Sequence, residues 1–471
     1  MRIPSDAALI IQRLEAAGYE AYAVGGCVRD SLLGRPPKDW DITTSARPEE
    51  VKACFPEVRT IDTGLQHGTV TLLLGGQPYE VTTYRVDGVY SDCRHPEQVT
   101  FTSRLADDLA RRDFTICAMA YHPHKGIIDL YGGREDLERG IIRCVGDAQT
   151  RFREDALRIF RALRFASVLD FALAPDTAAA VLDCRQLLLN IAPERIRVEL
   201  DKLLCGPGAG RVLREYPQVL AQWIPEILPA CGFEQHSPYH AYDVWEHIVR
   251  TVEAAPAEPV LRLTMLFHDI GKPACFTRDA GGRGHFHGHP AVSARMAEEI
   301  LGRLRYDKHT SRQVLELVRL HDIWLAPDAV RIRKLLHVIG PDLTEKLFAV
   351  QCADAAGKAE TAAAEQTGRV RAAEKVYAEI LRRGDCYTVD SLAISGRELL
   401  DMGVPAGPAV GKILNRLLNK VMEGMLENTP ESLQRTAEML WKNMRSQQER
   451  RKTVDKQQQT GDGDDAGDNI G

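Results

Sequence analysis

Two glycines, an arginine and two aspartates near the N-terminus carry the densest chemistry in this 471-residue chain. In the segment AYAVGGCVRDSLLGRPPKDWDITT, Gly25 and Gly26 let the backbone come close to a ligand with its N–H groups exposed. The helix expected after them offers its positive end to phosphate, and Arg29 adds a full charge. Asp39 and Asp41 are two residues apart. On an extended strand their carboxylates point to one face, where they could share a pair of Mg2+ ions. Such a pair suits phosphoryl transfer, one metal activating an attacking hydroxyl and the other steadying a triphosphate and its leaving oxygen. Alone, a Gly-Gly pair is a turn and an Asp-x-Asp run is two solvated carboxylates; their proximity in one segment makes the catalytic reading. Glu80, in YEVTTYR, is a candidate third acid but equally an ordinary strand-end partner in an ion pair, and we leave it outside the expected site.

Further along come His247 in DVWEHIVRTVE, His268-Asp269 in LRLTMLFHDIGKP, His289 in HFHGHP, His321-Asp322 in VRLHDI and Asp354 in FAVQCADAAGK. A lone histidine is usually structural, whereas an ordered imidazole and carboxylate set suits a divalent metal. Between the two regions, TRFREDALRIFRALRFAS carries Asp155, Arg158, Arg161 and Arg164 at three-residue spacing, which on a helix drifts by about 60° per step. Ala156, Ile159, Phe160 and Leu163 fall on the other side, so from pattern alone this is a solvated face as readily as a binding one. The same holds for Lys412, Arg416 and Lys420, a basic stripe opposite Ile413, Leu414, Leu417 and Val421.

The elements that must position these groups change character along the chain. Residues 1–150 alternate short β-type runs with helical stretches and Gly-rich turns, an α/β pattern; beyond them the periodicity is helical almost throughout. The expected fold class is therefore α+β, a small head followed by an all-helical body. The expected divisions are a head (1–150), a helical neck (151–235), a histidine-bearing domain (236–385), C-terminal helices (386–448) and a polar, low-complexity tail (449–471) read as disordered. Eleven scattered cysteines without a CxxC pair, and no apolar run of about 20 residues, fit a reduced, cytoplasmic protein with no membrane partner. A net charge of −6 excludes a chain that is basic all over but leaves room for local basic faces.

The segment GGCVRDSLLGRPPKDWDI resembles the signature of the polymerase-β-like nucleotidyltransferases that make up the bacterial tRNA CCA-adding and poly(A) polymerase family. LADDLARRDFTICAMAY is similar to the family's second motif, and the resemblance implies that Arg112 contacts nucleotide. Cys117 stands where that motif has asparagine. YRVDGVYSDCRHPEQV resembles the flexible loop of complete CCA-adding enzymes. Asp155 and Arg158 match the family's EDxxR motif, which reads the incoming base; Arg161 and Arg164 match further nucleotide-contacting arginines. A carboxylate that takes the exocyclic amino hydrogen and an arginine that donates to the ring nitrogen accept cytosine and adenine alike. The histidine region resembles an HD phosphohydrolase domain, which implies His247, His268, Asp269 and Asp354 as ligands of a Mn, Ni, Zn or Mg ion, extended by His289 and His321 to two metals. The stripe Lys412, Arg416 and Lys420 lies in a segment similar to the family's tRNA-gripping helical motif. The implied activity is addition of C, C and A to the tRNA 3′ end from CTP and ATP with Mg2+ and no template. A poly(A) polymerase or a CC- or A-adding partial enzyme is the near rival, and a hydrolase of RNA ends the more distant one.

Overall fold

The computed structural model describes residues 1–62, 64–88 and 99–461. The chain divides into two compact units, Met1–His321 with Ala353–Ala362, and Asp322–Cys352 with Ala363–Gly471.

The first unit begins with a seven-stranded sheet in the order Thr60–Ile61, Thr69–Leu74, Gln77–Thr83, Ile42–Thr44, Ala21–Val24, Met119–His122, Gly126–Asp129. Its neighbours are antiparallel except Ile42–Thr44 and Gln77–Thr83, whose parallel register sets Ile42 against Val81. The central strand Ala21–Val24 is buried along its whole length, and the helix Ser5–Ala16 covers one face of the sheet with Ile10, Ile11 and Leu14. Helices follow from Ala148 onward: Ala148–Glu154, Leu157–Leu169 and Pro193–Leu204, then Val244–Ala254, Pro259–Phe267, His289–Arg303 and Lys308–Leu320.

The body is not purely helical. Ile141–Ile142 pairs with Ala172–Leu173, and Thr277–Arg278 with Gly284–His285. Pairs of two residues bury too little apolar surface to leave a period-two pattern in the sequence.

In the second unit, the helix Ala329–Ala356 is kinked at Gly340, whose φ of 75° suits glycine, immediately before Pro341, and the helix Glu360–Arg383 follows. Leu399, Ile413, Leu417, Leu433 and Ala437 form the core of its C-terminal part. The final helix runs Pro430–Gly461, so the expected tail is helical through Gly461. Glutamine, glutamate, lysine and arginine are good helix formers even where they bury nothing. Residues 462–471 lie outside the described residues, as does most of the segment read as a flexible loop; its flanks Arg85–Asp87 and Val99–Phe101 pair antiparallel. Among the described residues no helix is long and apolar enough to cross a membrane.

Candidate active site and metal centre

Val24 ends its strand against Asp41, donating its N–H to the Asp41 carbonyl at 3.0 Å. The strand itself begins at Ile42, so Asp39 and Asp41 lie in the segment just before it rather than on it, contrary to the expectation from alternation; Trp40 is buried there, Asp39 exposed and Asp41 half-buried. Glu80 sits next to Val81 on the adjoining parallel strand. Burial, then Asp39, then Glu80 push the Asp41 carboxyl up to about 6, against the opposing pull of Arg112. Two further acids beside a half-buried carboxylate make an all-oxygen donor set of the kind that suits Mg2+. Glu80, which the sequence left open, therefore joins the cluster.

Gly25 has φ 80° and ψ −125°, and a Cβ there would lie 3.0 Å from Arg112 Nη1. The positive φ favours glycine, and the missing Cβ leaves room for that guanidinium. Arg112 is anchored by the fully buried Asp108, which also accepts hydrogen bonds from Arg111 at 2.7 Å and from Thr43 at 3.0 Å, tying the second motif to the strand that follows Asp41. Burial alone would raise the Asp108 carboxyl; Arg112 and Arg111 outweigh it and hold it below its ordinary value. The helix Gly26–Leu32 is only two turns long, so Arg29 carries more of the anion attraction than the dipole does. Arg29 donates to Asp30 at 2.8 Å and to the Cys117 sulfur at 3.4 Å, and its guanidinium lies 5.0 Å from the Phe165 ring centroid. Arg161 and Arg164 approach the same ring, at 5.5 and 3.5 Å. Three guanidiniums thus gather around one ring, each also paired with a carboxylate: Arg29 with Asp30, Arg161 with Asp113 and Arg164 with Glu199.

A thiol is a weak acceptor, so Cys117 holds Arg29 loosely. If the transferase chemistry that the sequence resemblance implies takes place here, Cys117→Asn, supplying an amide oxygen, is expected to raise its kcat/KM about 2- to 10-fold, the worth of one ordinary hydrogen bond. Steady-state kinetics with both nucleotides check this; an unchanged value would mean that Arg29 needs no such partner.

The expected polar stripe is broken where it begins. Asp155 is not helical: with φ −133° and ψ 104° it separates Ala148–Glu154 from Leu157–Leu169 and accepts the Leu157 N–H at 3.0 Å. Aspartate competes for backbone donors at a helix start, and that local preference overrides the three-residue pattern. Ile159, Phe160 and Leu163 are buried as expected. Asp155 and Arg158 both line a cleft of about 270 Å3, with Arg111, Arg112, Asp113, Leu157, Arg161 and Arg195. Arg158 donates to Glu154 at 2.6 Å and to the Arg111 carbonyl at 2.8 Å; Arg161 pairs with Asp113 at 2.5 Å. Arg195 holds Asp155 at 3.2 Å, a role the sequence did not signal because its segment PERIRVEL reads as an ordinary amphipathic helix. Arg164 does not line the cleft but pairs with Glu199 at 2.7 Å.

The second constellation is tighter. The four histidine Nδ1 atoms lie 2.8 Å (His247 to Gly357), 2.7 Å (His268 to Met265), 2.9 Å (His289 to Phe286) and 2.8 Å (His321 to Val318) from backbone carbonyls. A carbonyl only accepts, so each Nδ1 carries the hydrogen in the neutral ring and each Nε2 presents a lone pair. Those Nε2 atoms meet at 3.1 Å between His247 and His268 and at 3.2 Å between His289 and His321. Facing lone pairs repel unless a cation sits between them. Asp269 joins the two pairs, with Oδ2 3.1 Å from His247 and 3.3 Å from His268, and Oδ1 3.1 Å from His289 and 3.5 Å from His321. Asp354 completes the first group, 3.2 Å from His247. Both sets, His247–His268–Asp269–Asp354 and Asp269–His289–His321, have the geometry of metal ligands and are buried. Lys272 and Lys358, each 2.6 Å from a carboxylate oxygen of Asp269 and Asp354 respectively, were not anticipated.

On the helix Pro408–Met422, Lys412 and Arg416 are exposed and Lys420 half-buried, opposite the buried Ile413, Leu414, Leu417, Leu418 and Met422.

Four families cover these parts. Residues 21–143 match the Poly A polymerase head domain, 170–230 the "Probable RNA and SrmB- binding site of polymerase A", 239–379 the HD domain and 332–437 tRNA nucleotidyltransferase domain 2. The CCA-adding enzyme of Geobacillus stearothermophilus is 56% identical over 214 residues, 45% of this chain and 52% of that protein. That of Lactiplantibacillus plantarum is 55% identical over 203 residues, 43% and 49%. The chain thus spans about half the length of the curated relatives it matches. Among solved structures, the Bacillus stearothermophilus CCA-adding enzyme in complex with CTP superimposes with a TM-score of 0.70 at 34% identity, over 96% of this chain and 100% of that one. The Thermotoga maritima CCA-adding enzyme complexed with tRNA shares the fold, with a TM-score of 0.57 at 21% identity over 93% and 97%.

Proposed function

Because this chain belongs to the family of CCA-adding enzymes, we propose that it adds C, C and A to the 3′ end of tRNA from CTP and ATP without a nucleic-acid template. The observation that carries the reading is the joining of two sites by one pair of neighbours: Arg112 reaches the Gly25 turn beside Asp41, and Arg112 and Arg111 also line the cleft that holds Asp155 and Arg158. A triphosphate held by Arg29 and Arg112 would put its base in that cleft. Asp39 and Asp41, with Glu80 beside them, would hold Mg2+, which when bound lowers the pKa of the attacking 3′-hydroxyl and neutralises the triphosphate. Arg29, Arg112 and Arg161 would grip the phosphates, while Arg164, held by Glu199, adds charge from behind Phe165. Asp155 would accept the amino hydrogen of C or A and Arg158 would donate to the ring nitrogen. Arg195 and Glu154 fix the orientation of that pair in advance, which lowers the cost of reading a base.

Lys412, Arg416 and Lys420 would meet tRNA backbone phosphates, a contact that carries little sequence information. The division into head 1–150, neck 151–235, HD domain 236–385 and C-terminal helices 386–448 belongs to the same proposal, with the cytoplasm as the site of action; the matches over 21–143, 170–230 and 239–379 support its first three parts, while that over 332–437 crosses the boundary at 386.

Arg158→Ala is expected to weaken discrimination of CTP and ATP against UTP and GTP by about 1–3 kcal/mol, or about 5- to 150-fold. Single-nucleotide addition with each of the four labelled nucleotides measures it; unchanged discrimination would place base choice elsewhere.

The facing imidazoles favour a second activity in the same chain, a metal-dependent phosphohydrolase acting on phosphate esters at RNA ends. Four Nε2 lone pairs and two carboxylates suit Mn, Ni or Zn better than Mg2+ alone.

A further inference from the structure

Phe165 is buried in the helix Leu157–Leu169, and its ring draws guanidiniums from two elements. Arg161 precedes it by four residues and so shares its helix face, with the guanidinium 5.5 Å from the ring centroid. Arg29, at 5.0 Å, comes from the helix Gly26–Leu32 that follows the Gly-Gly turn. The ring is itself held by the second motif: Phe114, fully buried, packs against it edge to face with centroids 5.7 Å apart. Residues before and after Phe114 hold the two arginines, Asp113 accepting from Arg161 Nε at 2.7 Å and the Cys117 sulfur from Arg29 at 3.4 Å. Those two anchors are unequal, a carboxylate being a strong acceptor for a guanidinium and a thiol a weak one. Asp30, the carboxylate partner of Arg29, is its neighbour in sequence and sits on the same helix, so it does not fix Arg29 relative to Arg161. The Phe165 ring, which touches both, does.

Like charges that converge on one anion repel one another while it is absent. That repulsion is felt at Arg164, the third guanidinium at the ring: burial holds it below its ordinary value, Glu199 opposes the shift and the charge of Arg161 adds to it. An aromatic face is the negative end of a quadrupole, and its attraction for a cation is largest where water is excluded, as it is from the Arg29 and Arg164 side chains, each only 12% exposed. We propose that Phe165 is a positioning residue for the triphosphate, its ring keeping Arg29 and Arg161 gathered at one place so that both close on the same phosphate chain. The inference rests on the nucleotide-transfer reading and deepens it: Phe165, being buried, acts through two groups that meet the substrate. Base choice is left to Asp155 and Arg158.

The test measures, on the full-length protein, calorimetric dissociation constants for CTP and for inorganic tripolyphosphate, which has phosphates but no base, together with KM and kcat for single-nucleotide addition. Phe165→Leu is expected to weaken both ligands about 2- to 30-fold, the worth of the lost cation–π contacts, and to raise KM for CTP and ATP by the same factor with kcat little changed. Phe165→Met, which fills more of the space without a π face, carries the same expectation and serves where leucine leaves a cavity. Phe165→Tyr should restore affinity, and discrimination against UTP and GTP should stay at the wild-type value throughout. In an Arg29→Gln background, Phe165→Leu is expected to add little further loss, because the group it positions is already gone. Unchanged affinity for tripolyphosphate in both Phe165→Leu and Phe165→Met, or a loss just as large in the Arg29→Gln background, would overturn the positioning role while leaving nucleotide transfer intact. Failure of the wild type to bind tripolyphosphate and CTP would overturn the transfer reading and the positioning role together.

Discussion

Asp41→Asn is expected to lower kcat/KM for nucleotide transfer by at least about three orders of magnitude, the scale of losing several kcal/mol of metal-borne charge stabilisation, with tRNA affinity retained. The same change is expected to stabilise the metal-free fold. Asp41 titrates at about 6 in the folded chain because burial and the charges of Asp39 and Glu80 oppose ionisation, against about 4 when unfolded. Between those values the folded state binds more protons than the unfolded one, so stability falls as pH rises from about 4 to 6 and stays lower above that. At pH 7 the cost is on the order of 2–3 kcal/mol, which asparagine removes. Thermal unfolding without metal should therefore show the variant above wild type at pH 7, with the gap closing as pH falls toward 4. Added Mg2+ should narrow the gap at pH 7 by stabilising only the wild type. Loss of activity together with loss of stability would mean that Asp41 is a structural partner rather than one member of a strained metal-binding cluster.

Asp269→Asn is expected to empty the HD centre while sparing nucleotide transfer. Asp269 belongs to both ligand groups, one oxygen to each histidine pair, so one replacement weakens both sites; His289→Ala should cost only one. Elemental analysis after loading and desalting should find at most about a tenth of wild-type metal in Asp269→Asn, given the 10- to 100-fold losses that changes merely around a ligand already produce. Asparagine rather than alanine keeps the buried volume, although Lys272 loses its charge partner at 2.6 Å and overall stability should fall by about 3–5 kcal/mol. Wild-type metal content in the variant would show that Asp269 is held by Lys272 alone and bridges nothing.

The residues legible in the sequence were those whose chemistry depends on short spacing. Gly25, Gly26, Asp39 and Asp41 lie within one short turn–helix–loop segment that runs into the strand Ile42–Thr44, so closeness in sequence already places them near one another. The six HD residues were legible as a set because histidine and aspartate recur in order, yet the role of Asp269 in joining the two pairs is a matter of two oxygens that no pattern separates. Arg195 was missed because an arginine on an amphipathic helix reads as solvated until its distant partner Asp155 is seen, and Lys272 and Lys358 because a lysine in a turn or bend just after a helix reads as solvated until its buried carboxylate is seen. Asp155 was read as helical because three-residue spacing continued through it; a single local hydrogen bond to Leu157 was enough to end one helix and start the next. Arg164 fell on the expected face, but Glu199, 35 residues on, takes it. Glu80 needed the parallel register of Ile42 and Val81, which sequence alternation cannot supply.

The central claim is tested most directly by incubating the full-length protein with tRNA ending at the discriminator base, Mg2+ and all four labelled nucleoside triphosphates, and reading product length and composition on a sequencing gel. Growth by C, C and A followed by arrest is the predicted result. Arrest after two C additions or growth of a long A tail would contradict it in favour of a partial enzyme or a poly(A) polymerase, and no growth would leave the HD centre as the chain's only chemistry.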